Sequence, residues 1–315
     1  MQGKFQLELL LHQQHAICWM IQMEHLKGAY GINSLFWEER TFPDGGHFYY
    51  SPALGQVRLG APPPHMKGGL LCDEQGLGKT VEVLGLIMAT LSELKKAAES
   101  ASKVAYNYDD GEYYSAQSDD EDDCVAHTTL IIVPPALLVQ WLHEIEKAVG
   151  NTLTVSMIVA RSGELKRCLP LPAEGEAAST IVYDCDDDWE TMKASDIMLC
   201  TYDCFDKNSC SRILQTVRWG RVVLDEMQEI RSSTTQIAKN CETLKCNRRW
   251  MLSGTPIFQG IQDLSGELNF LRLEPFGSGQ NDGFYKFAVV DPWEAKSVRD
   301  ARSYSYFSTL IAFYC

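Results

Sequence analysis

No stretch of 18 apolar residues occurs in this 315-residue chain, so the sequence offers no membrane-crossing helix and no membrane partner is expected. The N-terminus, MQGKFQLELLLHQQH, lacks the basic start and long apolar core of a secretory leader. None of the eleven cysteines forms Cys-x-x-Cys, and the tightest groupings, Cys200/Cys204/Cys210 and Cys241/Cys246, have poor spacing for zinc. They read as reduced, buried thiols. Positive charge is scarce. With 28 Lys and Arg against 42 Asp and Glu, the net charge is −14, which argues against nonspecific nucleic-acid binding by the surface as a whole. The excess is local, however. Nine acids and one lysine lie between Glu99 and Asp123, and the remainder of the chain carries only −6. A basic groove elsewhere stays open. No internal repeat is visible, and no Asn-Lys-x-Asp element for guanine is present.

What is present is enough apolar content, 45%, for a substantial core. Residues 7–26 read as a helix carrying Leu7, Leu10, Leu11, Ile17, Trp19 and Met20. Residues 41–67, rich in Gly, Pro and Tyr, read as an irregular loop. A strand (Gly69 to Cys72), a loop and a helix from Lys79 to Lys96 follow. Residues 99–127 read as an acidic, disordered surface insertion. Further strands are predicted at Thr129–Pro134, Thr152–Ala160, Asp196–Thr201, Arg221–Glu226 and Arg249–Gly254, with helices at Ala136–Val149, between the third and fourth of these strands, at Thr234–Leu244 and at Asp263–Leu271. A second polar stretch runs to about Trp189. This alternation predicts an α/β fold, a parallel sheet covered by helices on both faces. The expected divisions are 1–67, 68–276 and a tail, 277–315, of unclear structure.

The stretch LLCDEQGLGKTVEV, Leu70 to Val83, carries the chemistry. A phosphate loop needs glycines so that backbone N–H groups can curl around phosphate oxygens, a lysine for the β- and γ-phosphates, and a hydroxyl for magnesium. Gly76, Gly78, Lys79 and Thr80 supply these, and the loop opens a helix whose N-terminus favours anions. The strict pattern fails only at its first position, Asp73. RVVLDEMQ places Asp225 and Glu226 at the carboxyl end of an apolar strand, where one acid can hold magnesium and its neighbour can polarise water. MLSGTP ends another strand with Ser253 and Thr255, hydroxyl residues that can sense and relay the γ-phosphate state.

In this order the motifs resemble the Swi/Snf-type ATPases of helicase superfamily two. DEQGLGKT resembles the family's first motif, which normally opens with Asp. LLLHQQHAICWM resembles its Q motif, TLIIVPPALLVQWLHEI its motif Ia, DIMLCTYD its motif Ib, and WGRVVLDEMQEI and RRWMLSGTPIFQGIQDLSGELNFLRLEP its motifs II and III with their flanks. The match spans about residues 7–276. Within the family, FYYSPALGQV, KTVEVLGLIM and Gln228 in place of His are most like the SHPRH-type subgroup of RING-finger ubiquitin ligases, related to the yeast Rad-type post-replication repair ATPases.

The resemblance implies a RecA-like P-loop NTPase lobe, helicase lobe one, of a nuclear, DNA-dependent ATPase with ATP and Mg2+ as cofactors. It implies ATP binding by Gln13, which reads adenine in the family, and by Asp73, Glu74, Gln75, Gly76, Leu77, Gly78, Lys79 and Thr80. Thr80 and Asp225 hold the metal, Glu226 activates water with Gln228 beside it, and Ser253 and Thr255 couple. Gln140, Thr201 and Arg231 are the candidates for contact with phosphates of duplex DNA, while Trp141 reads as a packing residue. Gln75 and Cys72 depart from the usual Met and Ala without disturbing the loop backbone, and Met227 sets a bulkier side chain than the usual Ala beside the acidic pair.

The family works as two lobes, and neither a second lobe nor a cysteine-histidine array for a RING finger is found in the sequence. The expectation is therefore a piece of a larger translocase that binds ATP and hydrolyses it poorly alone. Its partners are duplex DNA, a second lobe in cis or in trans, and chromatin proteins. The alternative is a nucleotide-binding interaction module without turnover.

Overall fold

The computed structural model describes residues 5–25, 37–52, 55–60, 67–106, 124–158, 165–169, 182–183, 194–206, 214–255, 257, 260–273, 276–277 and 284–294. Helix α1 (Leu11–His25) is followed by three short strands, β1 (Glu38–Thr41), β2 (His47–Ser51) and β3 (Gln56–Leu59), and by β4 (Lys67–Leu71) and the long α2 (Lys79–Tyr106). Next come β5 (Cys124–Val125), β6 (Thr129–Val133), α3 (Leu138–Val149), β7 (Val155–Ile158), β8 (Leu165–Leu169), β9 (Val182–Tyr183) and β10 (Ile197–Thr201). The rest is β11 (Val217–Trp219), β12 (Arg221–Asp225), α4 (Gln236–Glu242), β13 (Lys245–Cys246), β14 (Arg248–Leu252), α5 (Leu264–Leu271) and α6 (Asp291–Glu294).

The main sheet has the order β4-β14-β12-β6-β10-β7-β8-β9. Its first six strands are parallel, and β8 and β9 extend it antiparallel. Every residue of β6, β10, β12 and β14 is buried, as strands covered on both faces must be. Helix α2 packs on both α1 and α3, and α4 packs on α5. The RecA-like expectation holds in this arrangement. Gly68 is required where β4 meets β14: it sits at φ +138°, and a Cβ there would overlap the Arg249 carbonyl.

Three local readings change. The stretch read as an irregular loop from residue 41, whose residues 53–54 and 61–66 lie outside the described residues, instead continues an antiparallel meander, β1-β2-β3, from Glu38 to Leu59. Its inner face buries Tyr49 and Ser51, and the alternation was masked by glycines at its turns, of which Gly45 and Gly55 have positive φ. Helix α1 starts at Leu11 and buries Gln13, Ile17, Met20, Met23 and Glu24, leaving Leu10 and Leu11 exposed. Ile17 and Met20 point inward as expected, while polar Gln13 and Glu24 hold the inward positions near the two ends. Helix α2 runs on to Tyr106, into the stretch read as an acidic insertion, and Cys124–Val125 pairs with β11 in a small sheet, β13-β11-β5. Residues 107–123 of that insertion lie outside the described residues, as do 207–213, within the segment where a helix is expected, and 278–283 and 295–315 of the tail. The turn after β10 is a short 3-10 helix, Tyr202–Phe205.

Charged groups stitch α1 to the sheet far from the strand ends discussed below. Arg221, fully buried, donates from Nε and Nη2 to the two oxygens of Glu24, each at 2.6 Å. It also donates to Thr129 Oγ1 at 3.1 Å and Thr90 Oγ1 at 2.7 Å. Trp250 Nε1 donates to Glu24 Oε1 at 2.9 Å, and Arg248 Nε stands 3.1 Å from Oε2 as an ion pair not aligned for a hydrogen bond. Burial pushes the Glu24 carboxyl up, and Arg221, with its neighbours, outweighs burial and holds it below its ordinary value. Trp19 packs edge-on against Trp250, centroids 5.4 Å apart.

Candidate functional site

Strand register assembles the site. β4, β14 and β12 are adjacent, with Leu71 opposite Leu252 and Leu252 opposite Asp225. Their carboxyl ends therefore release three segments at one edge of the sheet: the loop 72–78, Ser253–Thr255 and Asp225–Glu226. Open parallel sheets bind ligands at that edge. Ser253 N donates to Leu71 O at 3.2 Å, and Gln75 lies over Gly254, where a Cβ would stand 2.8 Å from its Cγ.

The loop has the shape phosphate oxygens require. Gly76 and Gly78 adopt φ +86° and +97°, and α2 begins at Lys79. The first helical hydrogen bond is Glu82 N to Gly78 O at 3.1 Å, which leaves the N–H groups of Lys79, Thr80 and Val81 without intrahelical acceptors. The Lys79 ammonium bridges the loop, donating to Asp73 O at 2.6 Å and Glu74 O at 3.2 Å. Gln13, buried, clamps the far side: its Nε2 donates to Leu77 O at 3.0 Å and its Oε1 accepts from Leu10 N at 3.0 Å. His12 Nε2 also lies 3.1 Å from Leu77 O. A Cβ on Gly78 would overlap the Gln13 amide, so this glycine is needed for close approach as well as for its φ.

The acidic pair is tightly held. Trp141 Nε1 donates to Asp225 Oδ2 at 2.7 Å, Glu226 N to Oδ1 at 2.9 Å, and the Tyr202 hydroxyl to the Asp225 carbonyl at 2.8 Å. Burial, with Glu226 beside it, raises the Asp225 pKa, and the Lys79 charge across the cleft opposes the rise. Each Asp225 oxygen accepts one of these hydrogen bonds and keeps a lone pair for a metal ion or its water. The residues thus fit a magnesium-bound triphosphate: anion-directed amides, one ammonium, a half-buried hydroxyl at Thr80 and a carboxylate near that ammonium.

Glu226 adopts left-handed backbone (φ +50°, ψ +62°), which turns its side chain onto Gln228. Gln228 Nε2 donates to Glu226 Oε2 at 2.7 Å, Ser253 Oγ donates to Gln228 Oε1 at 3.2 Å, and Thr255 N donates to Ser253 Oγ at 2.9 Å. A continuous relay joins the acidic pair to the Ser253–Thr255 turn. Met227 is fully buried in the core rather than projecting over the acids.

Of the DNA candidates, Gln140 and Arg231 are exposed. Thr201 is buried at the end of β10. Sequence reasoning missed the role of Trp141, which is buried as a packing residue but also bonds Asp225, and it missed Tyr202 altogether. A signal existed for both: a buried indole N–H or phenol needs an acceptor. Glu82 was also missed. It lies fully buried one turn into α2, with its pKa raised to about 7 by burial first and then by Asp73.

Among the described residues no helix is long and apolar enough to cross a membrane, and no group of three His, Cys, Asp or Glu is placed to hold a metal ion. Cys18, Cys200, Cys241 and Cys246 take part in no disulfide.

The chain is 30% identical to DNA repair protein rad5 of Aspergillus fumigatus over 93% of its own length and 24% of that protein's. It is 29% identical to DNA repair protein rad8 of Schizosaccharomyces pombe over 94% of the chain and 26% of the relative. It thus spans about a quarter of the length of these curated relatives. In fold it is similar to the Sulfolobus solfataricus SWI2/SNF2 ATPase core in complex with dsDNA, with a TM-score of 0.57 at 19% identity, covering 99% of this chain and 45% of that one. The SNF2-related domain model matches residues 12–299, and with the loop, acidic pair and relay in the places described, the chain belongs to the SNF2-related family.

Proposed function

We propose that the chain is the ATP-binding first lobe of a DNA-dependent ATPase of the Swi/Snf type, acting in DNA repair in the nucleus, with residues 68–276 as the lobe proper. The observation that supports this reading best is the convergence of the loop, Asp225–Glu226 and Ser253–Thr255 at the ends of three adjacent strands. Lys79 and the amides opening α2 bind the phosphates, Asp73 to Leu77 shape the loop, and Gln13 reads the base from the position where it clamps that loop. Thr80 and Asp225 hold Mg2+, which when bound neutralises charge on the β- and γ-phosphates. Glu226 takes the proton of the attacking water, Gln228 orients it, and Ser253 and Thr255 relay the result. Duplex DNA lies against the face bearing Gln140 and Arg231. A second lobe, in cis or in trans, and chromatin proteins are the remaining partners.

The test measures nucleotide affinity and ATP hydrolysis with magnesium, with and without duplex DNA, for the wild type and Lys79→Ala. Binding that is lost with Lys79→Ala, and turnover that rises when a cognate second lobe and DNA are added, is the expected result. Equal nucleotide affinity in the two proteins refutes the phosphate site. Tight binding with no turnover under any of these conditions replaces the ATPase by a non-hydrolysing interaction module.

A further inference from the structure

Among the described residues, Glu226 and Arg272 are the two non-glycine residues with positive φ, and Glu226 is the one at the acidic pair. A residue with a Cβ keeps such backbone only where its surroundings over-determine it. Here the peptide joining Asp225 to Glu226 is tied at both of its polar groups. Its carbonyl, on Asp225, accepts the Tyr202 hydroxyl at 2.8 Å, and its N–H, on Glu226, donates to Asp225 Oδ1 at 2.9 Å. A planar peptide held at both groups does not rotate about the line joining its two Cα atoms, so φ of Glu226 stays where the two bonds set it. The chain beyond is anchored as well. Glu229 N donates to Glu226 O at 3.0 Å, and Met227 and Ile230 are fully buried. The N–H bond is local and moves with Asp225, whereas the Tyr202 bond reaches the peptide from another element, the turn after β10.

We infer that Tyr202 is a positioning residue for Glu226: its hydroxyl holds the Asp225–Glu226 peptide in the left-handed turn that aims the Glu226 carboxylate at Gln228. This rests on the reading of Glu226 as the group that takes the proton of the attacking water. Tyr202 is 2% exposed and its hydroxyl is engaged by a backbone carbonyl, so it acts through that peptide rather than on a nucleotide. Without the hydroxyl the peptide is free to turn over, because φ of Glu226 and the ψ before it change together with little movement of the flanking residues. Glu226 then relaxes toward negative φ, and its Oε2 leaves Gln228 Nε2, which stands at 2.7 Å. The relay from Gln228 to Ser253 and Thr255 loses its acidic end. The Asp225 carboxylate is spared, since Trp141 Nε1 holds its Oδ2 at 2.7 Å independently of Tyr202. Tyr202 therefore serves the proton-accepting group and not the metal-holding one.

The experiment compares the whole 315-residue chain with Tyr202→Phe, which removes the hydroxyl and keeps the buried ring. Hydrogen exchange at the Glu226 amide, read by NMR on protein labelled with 15N-glutamate, reports the peptide directly. Expected is exchange about tenfold faster in Tyr202→Phe, with the other glutamate amides unchanged. ATP hydrolysis with magnesium, duplex DNA and a cognate second lobe reports the base. Expected is a kcat about tenfold lower with the affinity for the magnesium-nucleotide unchanged, and no further loss when Tyr202→Phe is added to Glu226→Gln, because a residue acting through Glu226 then has nothing left to act on. A Glu226 amide that exchanges alike in both proteins overturns the inference. So does a loss of magnesium-nucleotide affinity in Tyr202→Phe, or a kcat loss that multiplies with that of Glu226→Gln, since Tyr202 then supports the site in general. A wild-type chain with no hydrolysis under these conditions refutes the proposed function itself, and the role of Tyr202 in catalysis falls with it.

Discussion

Removing Glu24 is expected to be among the most damaging single changes to this fold. Its carboxylate accepts two hydrogen bonds from Arg221 at 2.6 Å and one from Trp250 at 2.9 Å, in a place where Arg221 is fully buried. In Glu24→Ala the guanidinium keeps only the Thr90 and Thr129 hydroxyls, and an uncompensated buried charge costs about 3–5 kcal/mol. At roughly 2–4 °C per kcal/mol this lowers Tm by about 6–20 °C. Arg221→Met alone leaves the opposite charge facing Arg248. The double variant Glu24→Gln/Arg221→Met removes both charges and is expected to be more stable than Glu24→Ala, because burying an ion pair gains little over an apolar pair of similar volume. The assay is urea unfolding followed by tryptophan fluorescence and far-UV circular dichroism. Stability also depends on pH through this carboxylate. Burial acts to raise the Glu24 pKa, and Arg221 overcomes it, so the folded value lies below the ordinary 4.5. The stabilisation is then fully present above pH 4.5 and is lost as pH falls through the folded value, and this acid limb is shallower in Glu24→Gln. A loss below 1 kcal/mol in Glu24→Ala, or strict additivity in the double variant, refutes the reasoning.

Three further outcomes follow from the site and its surroundings. Gly78→Ala, strained by φ +97° and by overlap with the Gln13 amide, is expected to lower nucleotide affinity by at least about tenfold at unchanged helix content, read by titration and circular dichroism. Ser253→Ala breaks the relay at its 3.2 Å bond to Gln228 and is expected to slow DNA-stimulated hydrolysis by about tenfold, with nucleotide affinity in EDTA unchanged. Burial raises the Glu267 pKa to about 8, so the folded state binds a proton that the unfolded state has released near 4.5, and stability declines as pH rises from there toward 8. Glu267→Gln is expected to flatten that decline in urea midpoints measured from pH 5 to 8.

The chemistry-bearing segments were legible because each is local. Gly76, Gly78, Lys79 and Thr80 fall within five residues, as one loop that wraps a phosphate requires, and Asp225–Glu226 must end an apolar strand to reach the same edge. The parallel sheet was legible for a similar reason, since strands buried on both faces are unbroken apolar runs such as TLIIV and IMLCT. The meander was not, because its strands are four or five residues long and only two of its residues, Tyr49 and Ser51, are buried.

The sequence by itself therefore determined the family's order of motifs, the α/β alternation and the glycine-rich loop that opens α2. Tertiary structure alone decided which strands are neighbours, and so that Leu71, Leu252 and Asp225 share one line across the sheet. It alone joined Glu24 to Arg221 across 197 residues and Trp141 to Asp225 across 84. The reason is physical. Backbone pattern is encoded within a few residues by propensity and periodicity, whereas a buried charge or indole N–H takes whichever partner the packed sheet brings within hydrogen-bonding distance, and no local spacing records that choice.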